Sequence, residues 1–317
     1  MTITPPIKVL YIAGSGRSGS TLLDNILGQV DGLVSAGEVR YLWDRGMVQD
    51  RLCGCGRPFH QCPVWTSILV EAFGSVDAVD PSVAMAQQQS RSRVRNIPSL
   101  LVSARRGRSL TGPVTSHLER LEKLYRAIGN VTGASAVVDS SKLPAYGYLL
   151  GQTPGIDLRV LHLVRDPRAA AFSWTRKKVL PDGGNAGYMR PQSVVRSSVL
   201  WSVWNATTAA LWGADPSRYM RLRYEDLVGD PRRSIEDVLA FVGQPSDHLP
   251  FVGDAKVVLG PNHSVAGNPN RLVHGEVSIK FDEEWATAMP RSRQTLVTVL
   301  TLARLRHFGY PVRLGRR

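Results

Sequence analysis

The stretch "IKVLYIAGSGRSGSTLLDNILG" (residues 7–28) decides the fold. An apolar run, "IKVLYIA", passes directly into glycines at 14, 16 and 19, then into Leu22, Leu23, Ile26 and Leu27 at helical spacing. A strand, a glycine-rich turn and a helix in that order make an anion cradle. The N–H groups of the turn converge where the helix dipole is positive. Gly14 and Gly19 keep the glycine spacing of a phosphate-binding loop, but Ser20 stands where such a loop carries its lysine. Arg17 sits inside the turn instead. Ser18 or Ser20 is expected to cap the helix. In nucleoside triphosphatases the lysine reaches the β- and γ-phosphates, and a strand-end carboxylate supports Mg²⁺. Here the nearest such carboxylate is Asp166, and its neighbour Arg165 repels a cation. A ligand that needs charge neutralisation without a metal suits the turn better, and a Mg-ATP kinase of the same loop class stands as the alternative.

Around this unit, strand-like runs recur at 134–139 ("ASAVVD"), 158–164 ("LRVLHLV") and 219–224 ("YMRLRY"), and helical patterns fall at 116–129, 192–213, 231–242 and 291–307. The alternation predicts an α/β fold, a parallel sheet flanked by helices, in one domain spanning 1–317. Residues 75–113 break the rhythm. They are polar, basic and punctuated by Pro81, Pro98 and Pro113, and read as a helical and looped insertion; "PDGGNAGYMRP" (181–191) reads as a flexible loop. Hydrophobic content of 43% with 21% charged residues is that of a folded protein and argues against disorder. An excess of 39 basic over 26 acidic residues favours a polyanionic partner. A nucleic-acid partner is the weaker choice, because Arg91, Arg93, Arg95, Arg105, Arg106 and Arg108 carry no aromatic residues among them. No apolar run is long enough to span a bilayer, and the first one lacks a basic flank and a cleavage site, so a cytoplasmic location is expected.

"SGRSGSTLL" (15–23) resembles the 5′-phosphosulfate loop of sulfotransferases that use 3′-phosphoadenosine 5′-phosphosulfate (PAPS). "VRDPRAAAFSW" (164–174) resembles their 3′-phosphate motif, an arginine at a strand end followed eight positions later by a serine, here Arg165 and Ser173. The resemblance implies transfer of the sulfuryl group of PAPS to a hydroxyl by in-line displacement, leaving a sulfate ester and 3′,5′-ADP. It assigns Ser15, Gly16, Arg17, Ser18, Gly19, Ser20 and Thr21 to the donor. The chemistry is consistent: PAPS carries its charge at two separate anionic groups, and arginine suits multidentate contact with both.

In tyrosylprotein sulfotransferases and similar bacterial enzymes, a Gly-Glu after the loop supplies the general base. "LVSAGEVRYLW" places Glu38 at 21 residues beyond Arg17 in the same way. A surface carboxylate or helix cap is the plainer account. Lys142, in "VVDSSKLPAYGYLL", lies where a helix begins, a poor place for a cation unless an anion is near. The resemblance sets it, with Arg17, against the transferring group; an ion pair with Asp139 is the alternative. In "LRYEDLVGDPRRSIEDVLAFVG" the resemblance puts Tyr224 near the nucleotide, and in "NHSVAGNPNRLVHGEVSIKFDEEW" it puts Ser264 and Arg271 in a loop closing over the 3′-phosphate. The seven histidines, His263 among them, fit no catalytic motif and read as structural or exposed.

"CGCGRPFHQCPVW" (53–65) gathers Cys53, Cys55, His60 and Cys62. Cys-Gly-Cys is tighter than the spacing of a zinc knuckle, so reduced packing thiols are expected ahead of a local disulfide or zinc, and no metal is expected. Tyr41, Trp43, Trp65, Trp174, Trp201 and Trp204 are the aromatic residues available to line an acceptor pocket. The arginine-rich composition and the resemblance together point to a bacterial enzyme acting on a small metabolite or a glycoconjugate.

Overall fold

A computed structural model describes residues 5–92, 96–105, 114–181 and 187–312. In chain order the elements are β1 (Ile7–Gly14), α1 (Ser20–Leu27), β2 (Leu33–Gly37), α2 (Pro63–Phe73), α3 (Pro81–Ser92), α4 (Ile97–Arg105), α5 (Thr115–Thr132), β3 (Ala136–Lys142), α6 (Pro144–Gly151), β4 (Ile156–Val164), α7 (Pro167–Thr175) and α8 (Val194–Trp212). There follow β5 (Tyr219–Arg223), α9 (Tyr224–Gly229), α10 (Pro231–Val242), β6 (Lys256–Leu259), β7 (Gly275–Ser278), α11 (Glu284–Ala288) and α12 (Arg291–His307). The first five strands form one sheet in the order β2-β3-β1-β4-β5, parallel throughout, and β6 and β7 form an antiparallel pair.

β1 lies at the centre of the sheet because it is apolar on both faces. Val9, Tyr11 and Ala13 enter one core with residues of α2, α5 and α6, while Leu10 and Ile12 enter the other with α1 and α10. After β1 the chain crosses to the β2 side, and after β3 to the β4 side. A crevice therefore opens at the carboxyl ends of the three central strands, where parallel sheets bind ligands.

The expected helices at 116–129, 231–242 and 291–307 are α5, α10 and α12. The insertion near 75–113 supplies α3 and α4, which bury Ala84 and Leu100 against the main core. Residues 93–95 and 106–113 of it, with Arg93, Arg95, Arg106 and Arg108, lie outside the described residues, as do 182–186 of the expected loop. Strand β2 was not anticipated: "LVSAG" is short, has one β-branched residue and ends in glycine. None of the described helices is long and apolar enough to cross a membrane.

The capping of α1 departs from expectation. Neither Ser18 nor Ser20 caps it; Gly19 is the cap residue, at φ +92, and no side chain bonds to the first turn. In contrast, Asp166, Ser193 and Asp230 accept backbone N–H bonds at the starts of α7, α8 and α10. The N–H groups at the head of α1 are left for something else.

Two carboxyls are buried beside α1 and β3. Asp24 accepts a bond from Ser140 Oγ at 3.1 Å, and Asp139 accepts one from the Tyr125 hydroxyl and one from Ser141 N at 2.8 Å. Burial pushes Asp24 up to about 7 and Asp139 up to about 6. Over the window from 3.8 to about 7 the folded chain holds the Asp24 proton that the unfolded chain has released, so this contribution to stability falls as pH rises. We expect Asp24→Asn, an isostere of the protonated acid, to leave stability at pH 4 nearly unchanged and to raise it by up to ~4 kcal/mol at pH 8. Denaturant titrations at the two pH values measure this, and an equal effect at both would contradict it.

Candidate active site

The carboxyl ends of β1, β3 and β4 border a cleft of about 470 Å³. Its floor is the turn after β1, where Ser15, Gly16, Arg17, Gly19, Ser20 and Thr21 line the cavity. Arg17 takes φ +67 and Gly19 φ +92, so the backbone enters the left-handed region twice within three residues. That conformation costs an arginine on the order of 1–2 kcal/mol. The Trp174 ring holds the Arg17 guanidinium from one face, 4.7 Å from its centroid. Gly16 lets the indole approach; a Cβ there would lie 2.6 Å from Trp174.

What the turn lacks is acceptors. Arg17 Nε and Nη1, Ser15 Oγ and Ser18 Oγ are all buried without a hydrogen-bond partner. Unpaired buried donors are costly, each by about 1–3 kcal/mol. Ser18 is fully buried and does not line the cleft, but Arg17 and Ser15 do, and their unpaired groups beside the head of α1 leave a cradle for an anion. Burial, and the positive charge of Arg165 after it, bring Arg17 down to about 10, with Glu38 opposing.

Arg165, the residue after β4, stands beside this turn. Its Nη1 donates to the Arg17 carbonyl at 3.2 Å and its Nη2 to Asp282 Oδ2 at 2.9 Å, while its guanidinium lies 4.3 Å from the centre of the Tyr224 ring. Ser173 on α7 lines the same cavity, as does Tyr224. The two halves of the sequence pattern, 148 residues apart at Arg17 and Arg165, thus face one space.

Glu38 and Lys142 make the opposite wall, at the adjacent ends of β2 and β3. Lys142 Nζ donates to Glu38 Oε1 at 2.8 Å and to the Ser140 carbonyl at 2.7 Å. Lys142 too has a left-handed backbone, φ +68. Its ion-pair partner is Glu38 and not Asp139, whose oxygens are engaged by Tyr125 and Ser141. Burial favours the neutral form of Glu38, but Lys142, with Arg45 and Arg40 behind it, outweighs burial and holds the carboxyl below its usual range.

Ser264 and Arg271 do not line the cleft. Ser264 Oγ donates to Asn262 Oδ1 at 2.7 Å, and the buried Arg271 donates from Nη2 to the Leu52 carbonyl at 2.5 Å. Both side chains are used within and beneath their loop. The residues that this part of the chain does bring to the cavity are Gly267, Asn268, Asn270, Lys280 and Asp282. Of the aromatic residues, Tyr41, Trp174, Trp201 and Trp204 line it; Trp43 and Trp65 are buried in the core. Arg40, Arg45, Lys178 and Asp282 belong to the site without having been singled out. Arg40 could have been found as the cation two residues past Glu38. Asp282 carries no local signal, because its partner Arg165 is 117 residues away.

A family model described as "Sulfotransferase family" matches residues 10–248. The chain belongs to the sulfotransferase family. It is 29% identical over 176 residues to human carbohydrate sulfotransferase 3, covering 51% of this chain and 35% of that protein. It is 37% identical over 108 residues to mouse carbohydrate sulfotransferase 5, covering 30% and 27%. The chain therefore matches about a third of the length of these relatives or less. Among solved structures it resembles the sulfotransferase domain of the Synechococcus PCC 7002 olefin synthase, at a TM-score of 0.56 and 20% identity over 98% of each chain. It also resembles the sulfotransferase domain from the curacin biosynthetic pathway, at a TM-score of 0.53 and 16% identity over 97% of this chain and 99% of that one. At those identities the likeness is one of fold, and it agrees with the α/β sheet described above.

Gly19 gives this sulfotransferase a direct test of the cradle. A Cβ at 19 would overlap the Tyr224 ring in a backbone conformation that L side chains avoid. Gly19→Ala is expected to weaken binding of an adenosine bisphosphate at least tenfold, as read by isothermal titration calorimetry, while the far-ultraviolet dichroism stays that of the parent. Unchanged affinity would show that the turn does not hold the nucleotide.

Proposed function

We propose that this sulfotransferase moves the sulfuryl group of PAPS to a hydroxyl acceptor, with Glu38 as general base and Arg17 and Lys142 as the groups that meet developing charge. The observation that carries this reading is the set of unpartnered Arg17 and Ser15 groups in a turn without a lysine, with a second arginine beside them on the same cavity. The donor fits that set: Arg17 and the serines offer hydrogen bonds to its phosphosulfate, and Arg165 with Ser173 offers a separate place for its 3′-phosphate. Bound PAPS supplies the sulfuryl group. The carboxylate of Glu38 takes the acceptor's proton as the acceptor oxygen bonds to sulfur and the bond to the leaving phosphate breaks.

The Glu38–Lys142 pair gives this step an order. While Lys142 holds Glu38, the carboxylate is ionised but weakly basic. When the ammonium turns toward charge building on the leaving group, it stabilises that charge and frees a basic carboxylate at the same moment. Asp166 is unsuited to the alternative of a metal-supporting carboxylate, because it caps α7 and accepts from Arg168 Nη2 at 2.6 Å. The acceptor we infer is a sugar hydroxyl of a metabolite or glycoconjugate. The aromatic wall of Tyr41, Trp201 and Trp204 supports it, as do the names of the carbohydrate sulfotransferase relatives.

Two measurements test the reading. In thermal denaturation without Mg²⁺, 3′,5′-ADP should raise the Tm while ATP does not. Glu38→Gln should keep that shift and lose on the order of 10²-fold or more in transfer from labelled PAPS. Stabilisation by Mg-ATP alone, or undiminished turnover in the variant, would reject it. The pH profile follows from the sign of the Glu38 shift. A base held below the usual carboxylate range keeps kcat/KM level as pH falls from 7 to about 5. In Lys142→Met the largest opposing charge is gone and burial prevails, so the acid limb of the residual activity should move up toward neutrality. An unmoved limb would separate Glu38 from the step.

A further inference from the structure

The cysteines of the 53–65 stretch meet a ligand that the local sequence did not indicate. His60 is turned away, its Nε2 2.9 Å from the Met47 carbonyl. In its place comes His263, 201 residues beyond Cys62. The three cysteine sulfurs and one ring nitrogen of His263 all lie within 4.8 Å of one another. His263 Nδ1 is 3.3 Å from Cys62 Sγ and 3.8 Å from Cys53 Sγ. A tetrahedral zinc ion, with Zn–S of about 2.3 Å and Zn–N of about 2.0–2.1 Å, sets sulfur and nitrogen ~3.6 Å apart and two sulfurs ~3.8 Å apart. The two sulfur–nitrogen separations bracket that value.

The backbone around these atoms is built to hold them. Cys53 N donates to the Arg57 carbonyl at 2.8 Å and Gly56 N to the Cys53 carbonyl at 2.9 Å, with Gly56 at φ +82, so the Cys-Gly-Cys-Gly segment is a tight knuckle. Cys62 precedes α2, whose Trp65 donates from Nε1 to the His263 carbonyl at 2.6 Å. Gly54 N donates to the Ser264 carbonyl at 2.9 Å, and a Cβ at 54 would collide with Asn262. Cys53 and Cys62 are fully buried. A disulfide between two of the thiols would leave the third and the imidazole without a purpose.

We infer that Cys53, Cys55, Cys62 and His263 form a structural zinc site that fastens the 262–271 loop to the knuckle and to α2. Four protein ligands close the coordination shell, which is the arrangement of structural and not catalytic zinc. The ion would act on the cleft through the backbone. Val265 N donates to the Ala36 carbonyl at 3.0 Å, and Glu38 N to the Ala266 carbonyl at 3.4 Å, so the loop that His263 anchors runs directly against the end of β2 that presents Glu38. The site stands independently of the identity of the sulfuryl donor.

The test is the metal content of the full chain, purified under reductant without chelator. The expected result is one zinc per chain by inductively coupled plasma mass spectrometry, with an X-ray absorption first shell of three sulfurs and one nitrogen. Removing the metal with a zinc chelator should lower the Tm by ~10 °C, and added zinc should restore it. Cys62→Ser and His263→Ala should lose the metal, whereas His60→Ala should keep it in full. If the parent protein carries only traces of zinc and its Tm does not respond to micromolar zinc, the inference is wrong, whatever the variants do. A Cys53–Cys62 disulfide in the protein as isolated without reductant, or loss of zinc in His60→Ala, would equally overturn it.

Discussion

The half-buried Arg17 and the buried Arg165 stand side by side at the ends of β1 and β4, and holding two cations there is the constraint around which the cleft is organised. Burial is the main cost to the charge of Arg17, and Arg165 adds to it. The protein answers with aromatic faces and two acids. Trp174 covers Arg17, Tyr224 covers Arg165, Asp282 pairs with Arg165, and Glu38 opposes the field at Arg17. This compensation is partial, as the unpartnered nitrogens of Arg17 show. An anion with several acceptor oxygens would complete it.

Two glycines and two left-handed residues set the geometry that makes this arrangement possible. Gly16 and Gly19 admit the Trp174 and Tyr224 rings against the backbone of the turn, where any side chain would push them off. Lys142 at φ +68 ends β3 with a twist that carries its ammonium back toward Glu38 and away from the helix that follows. The strain at Arg17 and Lys142 falls on the two cations proposed to face the transferring group, and a flanking sheet buried on both faces is what holds them there.

The sequence was most informative where chemistry and chain order coincide. The turn after β1 could be read because strand, glycines and helix are contiguous, and α12 because its pattern runs over many residues. Arg165 and Ser173 lie on one strand-to-helix junction, and both line the cleft. What escaped depended on long-range placement. β2 is too short and too poor in β-branched residues to announce itself, yet it delivers Glu38. Ser264 and Arg271 sit in a loop whose composition suits anion binding, but Ser264 bonds to Asn262 within the loop and Arg271 to the Leu52 carbonyl beneath it, and neither lines the cleft. Around the Cys53 stretch, His60 is near in sequence and faces elsewhere, while His263 is distant in sequence and faces the sulfurs.

The same field also sorts the acids of the site. Glu38, Asp24 and Asp139 lie near the ends of β2 and β3 or the start of α1, and burial raises all three. They separate according to their partners. Glu38 touches Lys142 directly and feels Arg40 and Arg45, so it is held as an anion. Asp24 has a serine hydroxyl within reach and Asp139 nearby, and it keeps its proton close to neutral pH. Lys142 lowers all three, but only at Glu38 is its nitrogen within hydrogen-bonding distance. The place of Lys142 at the end of β3, with Arg40 and Arg45 behind Glu38, therefore separates Glu38 from the other two carboxyls.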